Sequence, residues 1–161
     1  MIPGLLAIHV PREGSWAGQC AQLADWSADY VAFNTFPELP DQFSPPLHEP
    51  GTNTADNYAI YSSHCYPSTE QIVRKVRAVR QTPTGQGLRK LFIMTDGSLE
   101  FVEELKSALW MDSDWADISS SLELILNPEQ KYVADTVNML VGQRAQVLFG
   151  NGVRIVPLQV C

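Results

Sequence analysis

Short apolar runs alternate with amphipathic segments from residue 60 onward, which predicts an α/β chain: a Rossmann-like, three-layer domain with a mainly parallel sheet and helices on both faces. Two further observations agree. The apolar runs at residues 4–10, 91–94 and 145–149 are short, continuous and bounded by turn residues, as strands buried on both faces are. The 161 residues are 45% hydrophobic and 18% charged. Such a chain makes a single core and buries roughly 68–70% of its unfolded surface. Residues 1–161 therefore read as one domain.

Residues 4–10 form the first strand, because Leu5, Leu6, Ala7, Ile8 and Val10 are apolar and the run ends β-branched. A polar, tryptophan-containing stretch follows, to which no element is assigned. Residues 34–58 hold Pro37, Pro40, Pro45, Pro46, Pro50 and Gly51, a composition that sustains neither helix nor central strand and predicts a long surface loop. Ser68-Thr69-Glu70-Gln71 has the spacing of a capping box and opens a helix. Ile72, Val73, Val76 and Val79 line its buried face, and Arg74, Lys75, Arg77 and Arg80 cover the other. Thr82 to Gly87 stops it.

Residues 91–94 are the second strand and end at Thr95-Asp96-Gly97. Ser98 then opens an acidic helix carrying Phe101, Val102, Leu105 and Leu109. A weaker strand is expected at 115–119. Asn127-Pro128-Glu129 combines a cap, a first-turn proline and a carboxylate at the positive dipole end, so a helix starts there with Val133, Val137, Leu140 and Val141 as its apolar stripe. The fourth strand is 145–149. Residues 153–157 look extended where the alternation would place a helix, so 153–161 is expected to be a divergent or truncated end.

Several function classes are disfavoured. The net charge of −7 argues against nucleic acid as the main partner. No apolar run approaches the roughly 18 residues of a membrane span, and the first ten residues lack the pattern of a secretory leader. Cys20, Cys65 and Cys161 show no metal-binding spacing; they are expected as reduced thiols or at most one disulfide. No nucleophile elbow, P-loop or zinc-protease motif occurs. Gly85-Gln86-Gly87 follows a helix and precedes a strand, the wrong order for a dinucleotide fingerprint.

Ligands of parallel sheets gather at the carboxyl ends of the strands, which selects the candidates. His9 is either a hydrogen-bonding ligand group or a satisfied structural histidine. Arg12 either aims its fork at a pyrophosphate or faces solvent beside Glu13. Asp96 either accepts from a ribose hydroxyl or base amine or belongs to a turn before the Ser98 cap. The basic face Arg74, Lys75, Arg77 and Arg80 of the helix opened by Ser68 is most simply a solvated one.

His9-Val10-Pro11-Arg12, His64-Cys65-Tyr66-Pro67-Ser68, Leu91 to Asp96, and Asn138-Met139 through Gly150-Asn151-Gly152 together resemble the donor-binding half of fungal GDP-fucose protein O-fucosyltransferase-like proteins, over about residues 4–152. The resemblance implies the C-terminal half of a GT-B glycosyltransferase. It also implies GDP-fucose as donor substrate, a protein or glycan acceptor, and an ER or Golgi lumen; no cofactor is expected, and no metal, since no cluster of hard oxygen ligands or of Cys and His is visible in the sequence. By position, Arg12 and Glu13 would be the catalytic residues. His9, Thr95, Asp96, Asn138, Gly150, Asn151 and Gly152 would bind the donor.

Departures from the family pattern are equally specific. The family motif has an arginine where this chain has Pro11, and that arginine stabilises the leaving diphosphate; losing such a group costs about 3 kcal/mol. Asn138 stands where an aspartate contacts the base, and Val153-Arg154-Ile155 replaces a Phe-Ser-Ser that meets the diphosphate. The resemblance thus implies a fucosyltransferase-like domain with weak or no activity in isolation, or alternatively a non-catalytic pseudo-glycosyltransferase remnant or binding module. It also implies a Cys20–Cys65 disulfide in an oxidising compartment.

Overall fold

In the computed structural model, described for residues 1–12, 14–28, 49, 51, 52, 54–150 and 154–157, the elements run β1 (Ile2–His9), α1 (Trp16–Asp25), α2 (Ala55–Cys65), α3 (Thr69–Arg80), β2 (Lys90–Met94), α4 (Leu99–Asp112), β3 (Asp117–Ser120), α5 (Pro128–Lys131), α6 (Ala134–Arg144), β4 (Ala145–Gly150) and β5 (Arg154–Pro157). The sheet order is β3-β2-β1-β4-β5. β1, β2, β3 and β4 are parallel, and β5 returns antiparallel to β4. This is the expected α/β Rossmann-like fold, and the order 3-2-1-4 reverses direction beside β1.

The alternation of side chains across each strand divides the core between two faces. Leu6, Ile8, Leu91, Ile93, Ile118 and Val147 point to the face covered by α3 and α4. Leu5, Ala7, Phe92, Met94 and Ala145 point to the other, against Val141 of α6. Each fully buried Leu or Ile contributes about 1.5–3 kcal/mol relative to exposure, so this two-sided sheet is the main source of stability.

The helix starts follow from their caps. Ser68 and Gln71 form the full reciprocal box, Ser98 accepts from the Phe101 amide at 3.2 Å, and Asn127 pairs with Gln130. All four apolar positions of α3 are buried. Gln146 ties the amino-terminal rim, accepting from the Gly4 amide at 2.8 Å and donating to the carbonyls of Thr84 and Gln86 at 2.9 and 3.3 Å. Gly85-Gln86-Gly87 therefore lies at the end of the sheet away from the strand tips. There a Cβ on Gly85 would stand 1.9 Å from the Val79 carbonyl oxygen, so its glycine serves close packing.

Four expectations need correction. The stretch after β1 contains a helix, α1, that its sequence does not announce: Ser15 stands at its start but makes no side-chain cap. α2 begins at Ala55, inside the stretch expected to be loop, because Thr54 caps it by accepting from the Asn57 amide at 3.2 Å; residues 29–48, 50 and 53 lie outside the described residues. The third strand is shifted to Asp117–Ser120, with Trp115 buried just before it. The helix after Asn127 breaks after Lys131 and restarts at Ala134, and its inward line keeps only Val137 and Val141 of the expected stripe. Val133 and Leu140 are 48% and 46% exposed, while Asn138, Val141 and Gly142 face inward. Gly142 allows this approach, since a Cβ there would already meet Leu148 and Met94 at 3.3 Å.

Candidate functional site

The carboxyl ends of three strands are level. His9 pairs with Met94 on one side and Gly150 on the other, and the Val10 amide extends the ladder to the Met94 carbonyl at 2.8 Å. Because the strand order reverses beside β1, the crevice outside β1 and β4 is the topological switch point, the usual ligand position in such sheets. His9 and Gly150 meet there. Asn151 and Gly152, which would continue the rim, and Glu13 lie outside the described residues.

Two cavities flank this rim. The larger, about 880 Å³, opens beside the β1 and β2 tips between the first turns of α3 and α4, and is lined by Arg12, Ser68, Glu70, Asp96, Ser98 and Glu104 among others. The smaller, about 330 Å³, lies between α3 and the ends of β1 and β4, with His9, His64, Arg74, Lys75, Phe149 and Gly150 in its wall. The candidate residues are therefore divided: Arg12 and Asp96 go to one side, His9 and Gly150 to the other.

Arg12 is half-buried. Its guanidinium carbon lies 4.3 Å from the Tyr66 ring centre and 4.4 Å from that of Phe101, and its Nη2 donates to the Pro67 carbonyl. The arginine is thus packed between two rings at the edge of the larger cavity, with its Nε making no hydrogen bond among the described residues. Gly97 makes room for it, since a Cβ there would stand 3.0 Å from the Arg12 and Phe101 side chains. The Arg12 amide donates to Asp96 Oδ1 at 2.5 Å, which fixes the β1 and β2 loops against each other. Asp96 is exposed at the rim.

Thr95 is buried and its hydroxyl is engaged: it donates to the Val10 carbonyl at 2.6 Å and accepts from the Gly97 amide at 3.0 Å. Its backbone exchanges hydrogen bonds with the Ser121 hydroxyl at 3.1 and 2.9 Å. Thr95 thus sets the shape of the β2 tip. Ser98, rather than Asp96, caps α4.

His9 keeps over a third of its surface in solvent, yet desolvation pulls its pKa below the ordinary 6.5, against the opposing pull of Asp96 and Asp135. That direction favours the neutral imidazole, in which one nitrogen donates and the other accepts. Asp135 and Asn138 sit three apart in the first turns of α6, on one face. The Asn138 Oδ1 is buried and receives no hydrogen bond among the described residues.

The basic face of α3 divides too. Arg77 pairs with Asp112, and Arg80 pairs with Asp114 at 2.9 Å while stacking on Trp115 at 4.5 Å. Arg74 and Lys75 instead reach the smaller cavity, a role that the periodicity of α3 does not signal. Their place beside β4 depends on strand order, which is not written in local sequence.

The chain superposes on the crystal structure of POFUT1 in complex with GDP with a TM-score of 0.52 and 17% identity, over 95% of this chain and 36% of that one. The chain is similar in fold to POFUT1. A second POFUT1 structure, in complex with GDP-fucose, gives a TM-score of 0.50 at 17% identity, over 92% of this chain and 34% of POFUT1. The chain thus spans about a third of the length of POFUT1. No protein-family model and no curated protein matches it. At this identity POFUT1 supplies the fold relationship alone.

Among the described residues, the Cys20 and Cys65 sulfurs are joined in a disulfide between α1 and α2. Around it Ala24 and Tyr61 are buried, and the Trp16 indole donates to the Cys65 carbonyl at 2.8 Å. The next residues, Tyr66 and Pro67, are those that hold Arg12. The disulfide therefore anchors the segment that walls both cavities. No helix among the described residues is long and apolar enough to cross a membrane.

Proposed function

We propose that this chain is a nucleotide-sugar-binding domain of fucosyltransferase type, taking GDP-fucose in the crevice outside β1 and β4. The observation that carries the reading is the reversal of strand order beside β1, with the tips of β1, β2 and β4 level there. The fold shared with POFUT1, solved with GDP and with GDP-fucose, supports the choice of ligand. Asn138 adds to it, because a nucleobase N–H would satisfy its buried Oδ1. In this arrangement the base lies toward the α6 side, neutral His9 and Asp96 face the sugar hydroxyls, and the phosphates cross the rim at Gly150. The disulfide between Cys20 and Cys65 supports an oxidising compartment as the site of action.

In transfer, an acceptor hydroxyl oxygen would bond to the fucose anomeric carbon while the bond from that carbon to the diphosphate oxygen breaks, GDP departs and the hydroxyl proton passes to the departing phosphate or to water. That step needs positive charge on the departing diphosphate. Pro11 has none, and the Arg12 guanidinium packs between Tyr66 and Phe101 and gives one N–H to the Pro67 carbonyl. This favours donor binding with weak transfer, or a binding module without transfer, as the second reading.

Calorimetric titration separates the possibilities. GDP and GDP-fucose are expected to bind in the micromolar range, with free fucose silent. Pro11→Arg should tighten GDP binding by about 10-fold, the value of one added charge-assisted contact. Silence toward both nucleotides from the parent and from Pro11→Arg would remove the donor-site reading.

A further inference from the structure

We infer that the cavity between α3 and the carboxyl ends of β1 and β4 holds the phosphate groups of a diphosphate-bearing ligand, with Arg74 and Lys75 as its cations. The inference rests on the donor-site reading and names the groups that take the charge Pro11 leaves unmatched. Its first support is contrast. The chain carries a net charge of −7, and the larger cavity has Glu70, Asp96 and Glu104 in its wall. The smaller one, among the described residues, has no carboxylate and is lined by Arg74, Lys75 and His64.

The second support is how the basic residues of α3 are used. Arg77 and Arg80 are matched by Asp112 and Asp114, whereas Arg74 makes no ion pair among the described residues. Arg74 is exposed at the edge of this cavity and Lys75 is half-buried beside it, so an anion from outside can reach both charges. The third support is size and place. At about 330 Å³ the recess is near the lower end of ligand cavities, room for a diphosphate but not for a whole nucleotide sugar. It opens at Gly150, where the remainder of such a ligand would continue along the rim.

The test titrates the full chain with inorganic pyrophosphate and with GDP, comparing the parent, the double variant Arg74→Gln/Lys75→Gln, and Arg77→Gln. Both anions should bind the parent, and more weakly as salt rises. Both should lose about 30-fold or more in the double variant, while Arg77→Gln stays within about twofold. Thermal melting of the double variant shows whether it is folded. Arg74→Gln alone, at an exposed position, repeats the comparison with an about fivefold loss. GDP binding that is equal in parent and double variant overturns the assignment and leaves the donor-site reading standing. Pyrophosphate binding that depends on Arg74 and Lys75, with GDP silent, upholds the cavity and overturns the donor-site reading. Silence of the parent toward both anions overturns both.

Discussion

Reducing the Cys20–Cys65 disulfide, or replacing both cysteines by serine, lowers the stability of this fold by about 4 kcal/mol. The figure follows from chain entropy: the bond closes a loop spanning 45 positions, and releasing it returns that freedom to the unfolded chain. Little else is available to offset the loss. α1 has no side-chain cap, and the cluster it shares with α2 holds Cys20, Ala24, Tyr61 and Cys65 as its buried members. The melting temperature should fall by about 8–16 °C in a chain of this size. Amide exchange should lose protection in α1 and α2 before the sheet. Because Tyr66 and Pro67 follow directly, nucleotide affinity should fall with the same reduction. Identical melting with and without reductant would contradict this account of how the α1–α2 pair is held.

Arg12→Ala is the second large effect, and it is one of stability rather than of ligand charge. The substitution removes two ring contacts at 4.3 and 4.4 Å and a charge-assisted hydrogen bond to the Pro67 carbonyl, and it opens space beside Gly97. Partly desolvated contacts of these kinds together are worth about 2–3 kcal/mol, a loss of about 4–12 °C in melting temperature. Arg12→Lys should recover less than half, since an ammonium lacks the planar surface that stacks between two rings. Differential scanning calorimetry beside GDP titration distinguishes the roles. An unchanged melting temperature with abolished GDP binding would return Arg12 to the diphosphate and contradict the structural role.

The central sheet was legible in the sequence because its strands are buried on both faces. Runs such as Leu5 to Ile8 and Leu91 to Met94 have no polar interruption and are strands in the structure. α3 and α4 were legible because Ser68 and Ser98 cap them through local hydrogen bonds that short-range patterns record. α1 and α2 were not, since what holds them is a covalent bond across 45 positions and packing against each other. The inward line of α6 was legible only in part: Val141 of the apolar stripe packs on the sheet, but Gly142 beside it carries no apolar signal and Leu140 faces outward.

The same distinction runs through the site. His9 and Gly150 could be chosen from strand ends alone, and strand pairing makes them neighbours. The separation of Arg12 from them, its enclosure by Tyr66 and Phe101, and the approach of Arg74 and Lys75 all depend on how α2 and α3 lie over the sheet. No local spacing encodes that placement.

The most direct measurement is the map of backbone amide shifts in the labelled chain as GDP is added. A nucleotide held where the strand order reverses should move His9, Val10, Met94 to Gly97, Phe149 and Gly150, together with Asp135 and Asn138 on α6, and leave Gly4, Leu88 and Ala116 at the far rim unmoved. Shifts confined to that far rim, or no shifts at GDP concentrations in the millimolar range, would contradict the claim that this end of the sheet is a nucleotide-sugar site.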